Sequence, residues 1–172
     1  VTLVPDAEDA ITSSAGWDTI RHRDFLRAMS ERFHKAGIRV SIFVDPVVEM
    51  VRAAKDCGAD RVELYTEAYA SGYASDREAA IAPYVAAAEE ARRVGLGLNA
   101  GHDLSTENLE YFITRIPWVD EVSIGHALIS DALYWGLEQT VDRYQDCIRR
   151  AHNSEKERGC HCENRYSNIY VA

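Results

Sequence analysis

Short apolar runs recur along this chain, each followed by a longer amphipathic stretch, and that alternation limits the fold more than any other feature of the sequence. Ile38–Val44 (IRVSIFV), Arg61–Tyr65 (RVELY), Leu96–Asn99 and Glu121–Ile124 have the length and apolar content of buried strands; Val1–Val4, closed by Pro5, is a further candidate. Between them the period becomes helical. Phe25, Leu26, Met29 and Phe33 fall on one face of a helix predicted over about Thr19–Ala36 and closed by Gly37. Asp45-Pro46 starts the next helix, with Pro in its first turn, and Gly58 ends it. Ser75-Asp76-Arg77-Glu78 reads as a capping box opening a long Ala-rich helix that stops at Gly95. Ser105 or Thr106 caps a helix through about Thr114, and a last helix covers roughly Ile129–Ala151. Residues 153–172 are polar and aperiodic, so the folded unit is expected over 1–152 with a poorly ordered tail behind it.

Alternating β and α units closed by glycine imply a parallel sheet with helices outside. An open doubly wound sheet and a closed barrel both fit that description. The chain contains neither G-x-G-x-x-G nor G-x-x-x-x-G-K-[ST]. It has instead a polar or ionisable residue at or just past the C-terminal ends of its strands: Asp45, Glu63 with Thr66, Asn99 with His102, and Gly125 with His126. A (β/α)8 barrel gathers its active site there. The expected fold is therefore α/β, a (β/α)8 TIM barrel of which this chain holds the last five βα units. A full barrel typically needs about 250 residues, against 172 here, and the remaining units are expected before Val1, which opens without Met and inside a strand.

A net charge of −9 argues against nucleic acid as a partner, since that needs a concentrated basic face. It leaves phosphorylated small molecules open, because backbone N–H groups at helix N-termini hold phosphate with little help from Lys or Arg. No apolar run approaches the roughly 18 residues of a membrane span, and no signal peptide is visible. The four cysteines form no disulfide framework, so reduced thiols in the cytoplasm are expected.

Asn99-Ala100-Gly101-His102 sets an imidazole on a tight turn at a strand end, where it can give and take protons near neutral pH. A histidine that merely packs on a loop has the same spacing, and the two readings stand level. In Ser123-Ile124-Gly125-His126 the glycine allows close approach of a ligand before a helix, as at barrel phosphate sites; a sharp turn explains it equally. Glu63 alternates with Val62 and Leu64 and so points into a barrel. A buried carboxylate there is either used or paired with a neighbouring Arg or Lys. Thr12, in Ile11–Gly16, could meet a phosphate or sugar hydroxyl, although ordinary loop composition accounts for the segment as well. Cys160-His161-Cys162-Glu163 lacks a second ligand pair at zinc spacing and is read as incidental, so no metal is expected. Glu89, Glu90, Arg92 and Arg93 read as a solvated outer helix face.

Taken together, LVP (Leu3–Pro5), AGIRVSIFVDP (Ala36–Pro46), GADRVELYT (Gly58–Thr66) with Tyr69-Ala70, GLGLNAGHDL (Gly95–Leu104) and SIGHALIS (Ser123–Ser130) resemble the pyridoxine 5′-phosphate synthase family over Val1–Ala151. The resemblance implies a (β/α)8 barrel that condenses 1-deoxy-D-xylulose 5-phosphate with 3-amino-1-hydroxyacetone 1-phosphate, releasing phosphate and water, without metal or organic cofactor. It implies His102 as general acid and Glu63 as stabiliser of a charged intermediate. It implies Thr12 at the deoxyxylulose phosphate, and Asp103, Gly125 and His126 at the amino-ketone phosphate. A homo-oligomer is implied too. Departures stand at Glu67 and Asp103, where the family often has Gly, and at Asp6–Asp9 and Thr12–Gly16, which lack the family's basic pair and Thr-Thr-Glu-Gly-Gly. An Asp side chain is unfavourable beside phosphate, although its backbone N–H could donate. The family's Asn-x-Asp-His and His-x-Arg segments and its catalytic Glu are not found in the chain, so alone it is expected to be inactive. A non-catalytic partial barrel associating through an open sheet edge is the alternative; another phosphate-binding barrel lacks a strand-end Schiff-base Lys.

Overall fold

A computed structural model describes residues 1–6, 10–157 and 168–170. Its contacts divide the chain into two compact units, Val1–Tyr65 with Ala82–Asn99, and Thr66–Ile81 with Ala100–Ala172.

The first unit follows from its apolar runs. Strands β1 (Thr2–Leu3), β2 (Ser41–Val44) and β3 (Arg61–Tyr65) lie side by side, followed by the start of β4 (Gly97–Gly101). The β1–β2 and β2–β3 pairs are parallel, with Thr2 opposite Ser41 and Phe43 opposite Glu63. Every residue of β2 is buried, as expected of a parallel strand covered on both faces. Ile42, Val44, Val62 and Leu64, all fully buried, share one face by the two-residue period. Ser41, Phe43, Arg61 and Glu63 share the other, so Glu63 does face away from Val62 and Leu64.

Helices α1 (Arg23–Lys35) and α2 (Val48–Asp56) begin later than the sequence suggests. Thr19 does not start α1: its hydroxyl donates to the Met50 carbonyl at 2.7 Å. Asp45 does not cap α2; its carboxylate accepts the Gly16 N–H at 3.3 Å, and Val47 is the N-cap. On α1, Leu26 is buried but Phe25 is 54% exposed, so the apolar stripe is narrower than its spacing implies. Burial pushes the Cys57 thiol, at the end of α2, up to about 11, with the Asp56 charge adding to the effect. That leaves it an inert core group.

Helix α3 (Glu67–Arg93) differs from expectation at its start. The stretch before Ser75 is helical, and the break comes at Asp76 (φ −156°, ψ 89°). Asp76 is the cap, its carboxylate accepting the Ala79 N–H at 3.0 Å. Glu90 does not lie on a solvated face: it is 7% exposed and takes hydrogen bonds from Arg93 (2.7 Å) and Arg52 (2.6 Å).

The second unit holds the end of β4, then α4 (Leu109–Arg115), β5 (Glu121–Ser123), α5 (His126–Trp135), α6 (Leu137–Glu157) and β6 (Asn168–Tyr170), in the sheet order β4-β5-β6. Asn108, rather than Ser105 or Thr106, is the N-cap of α4. Its core is Tyr69, Leu104, Leu109, Phe112, Ile113 and Tyr144. The single long helix expected at the C-terminus is two helices, because Gly136 adopts φ +79°, which only glycine takes without strain. Helix α6 runs to Glu157, past the expected end at Ala151, and β6 pairs in parallel with β5, Val122 opposite Ile169. The rest of the expected tail, including Cys160–Glu163, lies outside the described residues. No helix among the described residues is long and apolar enough to cross a membrane.

The Glu90 pairing predicts a pH signature. Hydrogen bonds from Arg93 and then Arg52 hold its carboxyl at about 2, below the ordinary 4.5. A lowered folded-state value stabilises the fold above the unfolded value, and that contribution is lost as pH falls toward the folded one. Thermal melts should therefore show Tm of the native chain falling between about pH 4.5 and 2 more steeply than that of Glu90→Gln. Parallel curves would remove the pairing.

Candidate active site

Strand β4 runs through Gly101, and the chain then turns at His102 with φ +90°, the one non-glycine residue with positive φ among those described. For a residue with a Cβ this conformation costs about 1–3 kcal/mol and persists only where neighbours impose it. The neighbours are identifiable. The His102 N–H donates to the Ser123 carbonyl of β5 at 2.9 Å. The fully buried Thr66 donates its hydroxyl proton to the Gly101 carbonyl at 2.5 Å and accepts the Asp103 N–H at 3.2 Å, bracketing the strained residue on both sides. Asn108 ties the next turn: its carboxamide accepts the Ser105 N–H at 2.9 Å, and the Tyr69 hydroxyl donates to its carbonyl at 2.7 Å.

The imidazole so presented is 23% exposed. Its Nδ1 lies 3.0 Å from the Asp103 carboxylate. The ring of His126, the first residue of α5, stands edge-on to it, 5.7 Å between centroids. Gly125 is the N-cap of α5 and supplies no side-chain acceptor, so the first-turn N–H groups form the electropositive end that favours an anion.

Four of the residues singled out in the sequence, His102, Asp103, Gly125 and His126, thus belong to the second unit. Glu63 and Thr12 belong to the first. Glu63 is 8% exposed and accepts the Thr2 hydroxyl proton at 3.0 Å. Two residues earlier on the same face, Arg61 donates to the Asn99 carboxamide oxygen at 3.0 Å. Thr12 is exposed on the loop after β1. Gly16 anchors that loop at the end of β2: a Cβ there would stand 2.2 Å from the Asp45 nitrogen, so no other residue fits. The Asp103 N–H, available to a phosphate on sequence grounds, is directed at Thr66. Sequence reading noted Thr66 only as a polar strand end; its bracketing role needs the loop geometry to become visible.

The family model of the pyridoxal phosphate biosynthesis protein PdxJ matches residues 1–150. The chain belongs to the PdxJ family. Among curated relatives, the pyridoxine 5′-phosphate synthase of Bacteroides fragilis is 61% identical over 149 residues, 87% of this chain and 63% of the relative. That of Bacteroides thetaiotaomicron is 60% identical over the same shares. That of Cytophaga hutchinsonii is 62% identical over 144 residues, 84% of this chain and 60% of the relative. The chain therefore spans less than two thirds of the length of these PdxJ relatives.

The bracket has a measurable consequence in this PdxJ chain. Thr66→Val keeps the shape but strands a buried carbonyl and a half-buried N–H, and should cost about 1–3 kcal/mol in denaturant unfolding. Its amide shifts should centre on residues 101–103. Thr66→Ser should retain most of the stability. Equal stability of Thr66→Val and the native chain would show that the hydroxyl does not hold the turn.

Proposed function

We propose that this chain carries the proton-donating half of a pyridoxine 5′-phosphate synthase site, built on a (β/α)8 barrel. The observation that carries the reading is the His102 turn: an imidazole held in a strained conformation at a strand end, its ring facing His126 at a helix N-terminus. The pyridoxine 5′-phosphate synthases to which the chain is 60–62% identical support the same reading.

In this reading the substrates are 1-deoxy-D-xylulose 5-phosphate and 3-amino-1-hydroxyacetone 1-phosphate, and closing the ring releases phosphate and water. His102 protonates a leaving oxygen; an imidazole serves because its proton affinity suits both giving and recovering a proton near neutral pH. The amino-ketone phosphate meets Gly125, His126 and the first-turn N–H groups of α5, whose local positive polarity favours an anion independently of the net charge of −9. Glu63 stabilises the cationic intermediate, which a buried carboxylate does more strongly than an exposed one. Thr12 meets the deoxyxylulose phosphate. The reaction is proposed to proceed without metal or organic cofactor, in a cytoplasmic homo-oligomer.

The test joins this chain to the part of the Bacteroides fragilis relative that it does not span. The joined protein should form pyridoxine 5′-phosphate from the two substrates, detected by mass and absorbance. His102→Asn in that protein should lower kcat by about 10²–10⁴-fold with a smaller change in KM. A joined protein that folds but makes no product, or a His102→Asn variant working at the parent rate, would overturn the proposal.

A further inference from the structure

Asp103 stands where the resemblance would put a glycine, and its side chain has a specific partner. Oδ2 lies 3.0 Å from His102 Nδ1. The Asp103 backbone N–H, the group that would otherwise reach a phosphate, is engaged by the Thr66 hydroxyl. The Asp103 carbonyl accepts a long hydrogen bond (3.4 Å) from the Asn108 carboxamide, which itself holds Ser105. The backbone of residue 103 is therefore fixed on both sides, and its carboxylate is held against the imidazole rather than left to wander on a mobile loop.

We propose that Asp103 is a positioning residue for His102, setting its tautomer and its ring orientation; the inference rests on the reading of His102 as the proton donor. A carboxylate only accepts, so it selects the imidazole form bearing a proton on Nδ1. Nε2 then becomes the nitrogen that takes and returns the proton during the reaction. The same division of labour holds wherever a carboxylate orients a histidine: the acid group stays ionised and fixes which nitrogen works. A glycine at this position leaves the choice of tautomer to other neighbours. Asp103 thus supplies an orienting group to the proposed proton donor, and its carboxylate is directed at the imidazole.

Long-range proton–nitrogen correlation spectra of the 172-residue chain, taken above the titration of the histidines, read the tautomer directly. The native chain should show His102 mostly as the Nδ1–H form, and Asp103→Gly should reverse the preference toward Nε2–H. Asp103→Asn, which keeps the size of the side chain, should shift the population in the same direction by less. Amide spectra unchanged outside residues 100–108 would exclude a general loss of fold. A native chain with His102 mostly in the Nε2–H form overturns the proposal even if both variants fail to fold. So does a tautomer that Asp103→Gly leaves unmoved. The spectra need no turnover: the Nδ1–H form in a chain whose joined protein makes no product would sink the synthase reading and leave the pairing intact.

Discussion

The hydroxyl of Thr66 is a small group with a disproportionate reach. It lies directly after β3, is fully buried, and spends both its donor and its acceptor on one turn, Gly101 on one side of His102 and Asp103 on the other. Without such a bracket a histidine at φ +90° would relax, since the cost of that conformation rivals a whole hydrogen bond. With it, the imidazole is delivered at the strand end in one orientation, close to the ring of His126 and the start of α5. Stability has been conceded at the one residue whose chemistry the proposed reaction needs most. Strain of this kind is retained only where the surrounding contacts outweigh it.

The first unit handles a related problem by different means. Glu63 buries a carboxylate on a sheet face that also carries Ser41, Arg61 and Phe43, and the Thr2 hydroxyl satisfies one of its oxygens. Arg61, on the same face two residues earlier, is drawn to Asn99. Burying polar groups is costly unless their hydrogen bonds are met. Here Arg61 is met from the adjacent β4 and Glu63 from β1, across β2, so the parallel register that sets Thr2 opposite Ser41 and Ser41 opposite Arg61 is itself a condition for keeping an acid inside. A one-residue slip of β1 would turn the Thr2 hydroxyl to the other face.

How much of this was legible in the sequence depended on whether local chemistry or a distant partner decided the outcome. β3 was readable to the residue, and so was the inward face of Glu63, because alternation in RVELY depends only on its own strand. The start of α2 was misread because Asp45, a good cap by type, is taken by the Gly16 N–H 29 residues away. The break in α3 lay within the recognised S-D-R-E segment but at Asp76, one residue later than assigned, since either side chain could cap and only the backbone chooses. Gly136 falls inside the helix expected over about Ile129–Ala151, and its positive φ divides that helix in two. The site was legible as a set of residue types at strand ends; Thr66 as its organiser was not, because both of its partners are backbone atoms 35 and 37 residues away.

That division bears on the oddest residue in the site. Judged by charge alone, an aspartate beside a proposed phosphate subsite, in a chain of net charge −9, is a defect. Its geometry changes the assessment. A carboxylate 3.0 Å from an imidazole nitrogen forms a local unit with it, and once the imidazole is protonated that unit is close to neutral and repels a phosphate far less than a bare acid would. The N–H groups at the start of α5 and the neighbouring His126 then set the local potential, independently of the chain's overall charge. Net charge describes the surface as a whole; what a phosphate meets depends on which charges are already committed to partners when it arrives.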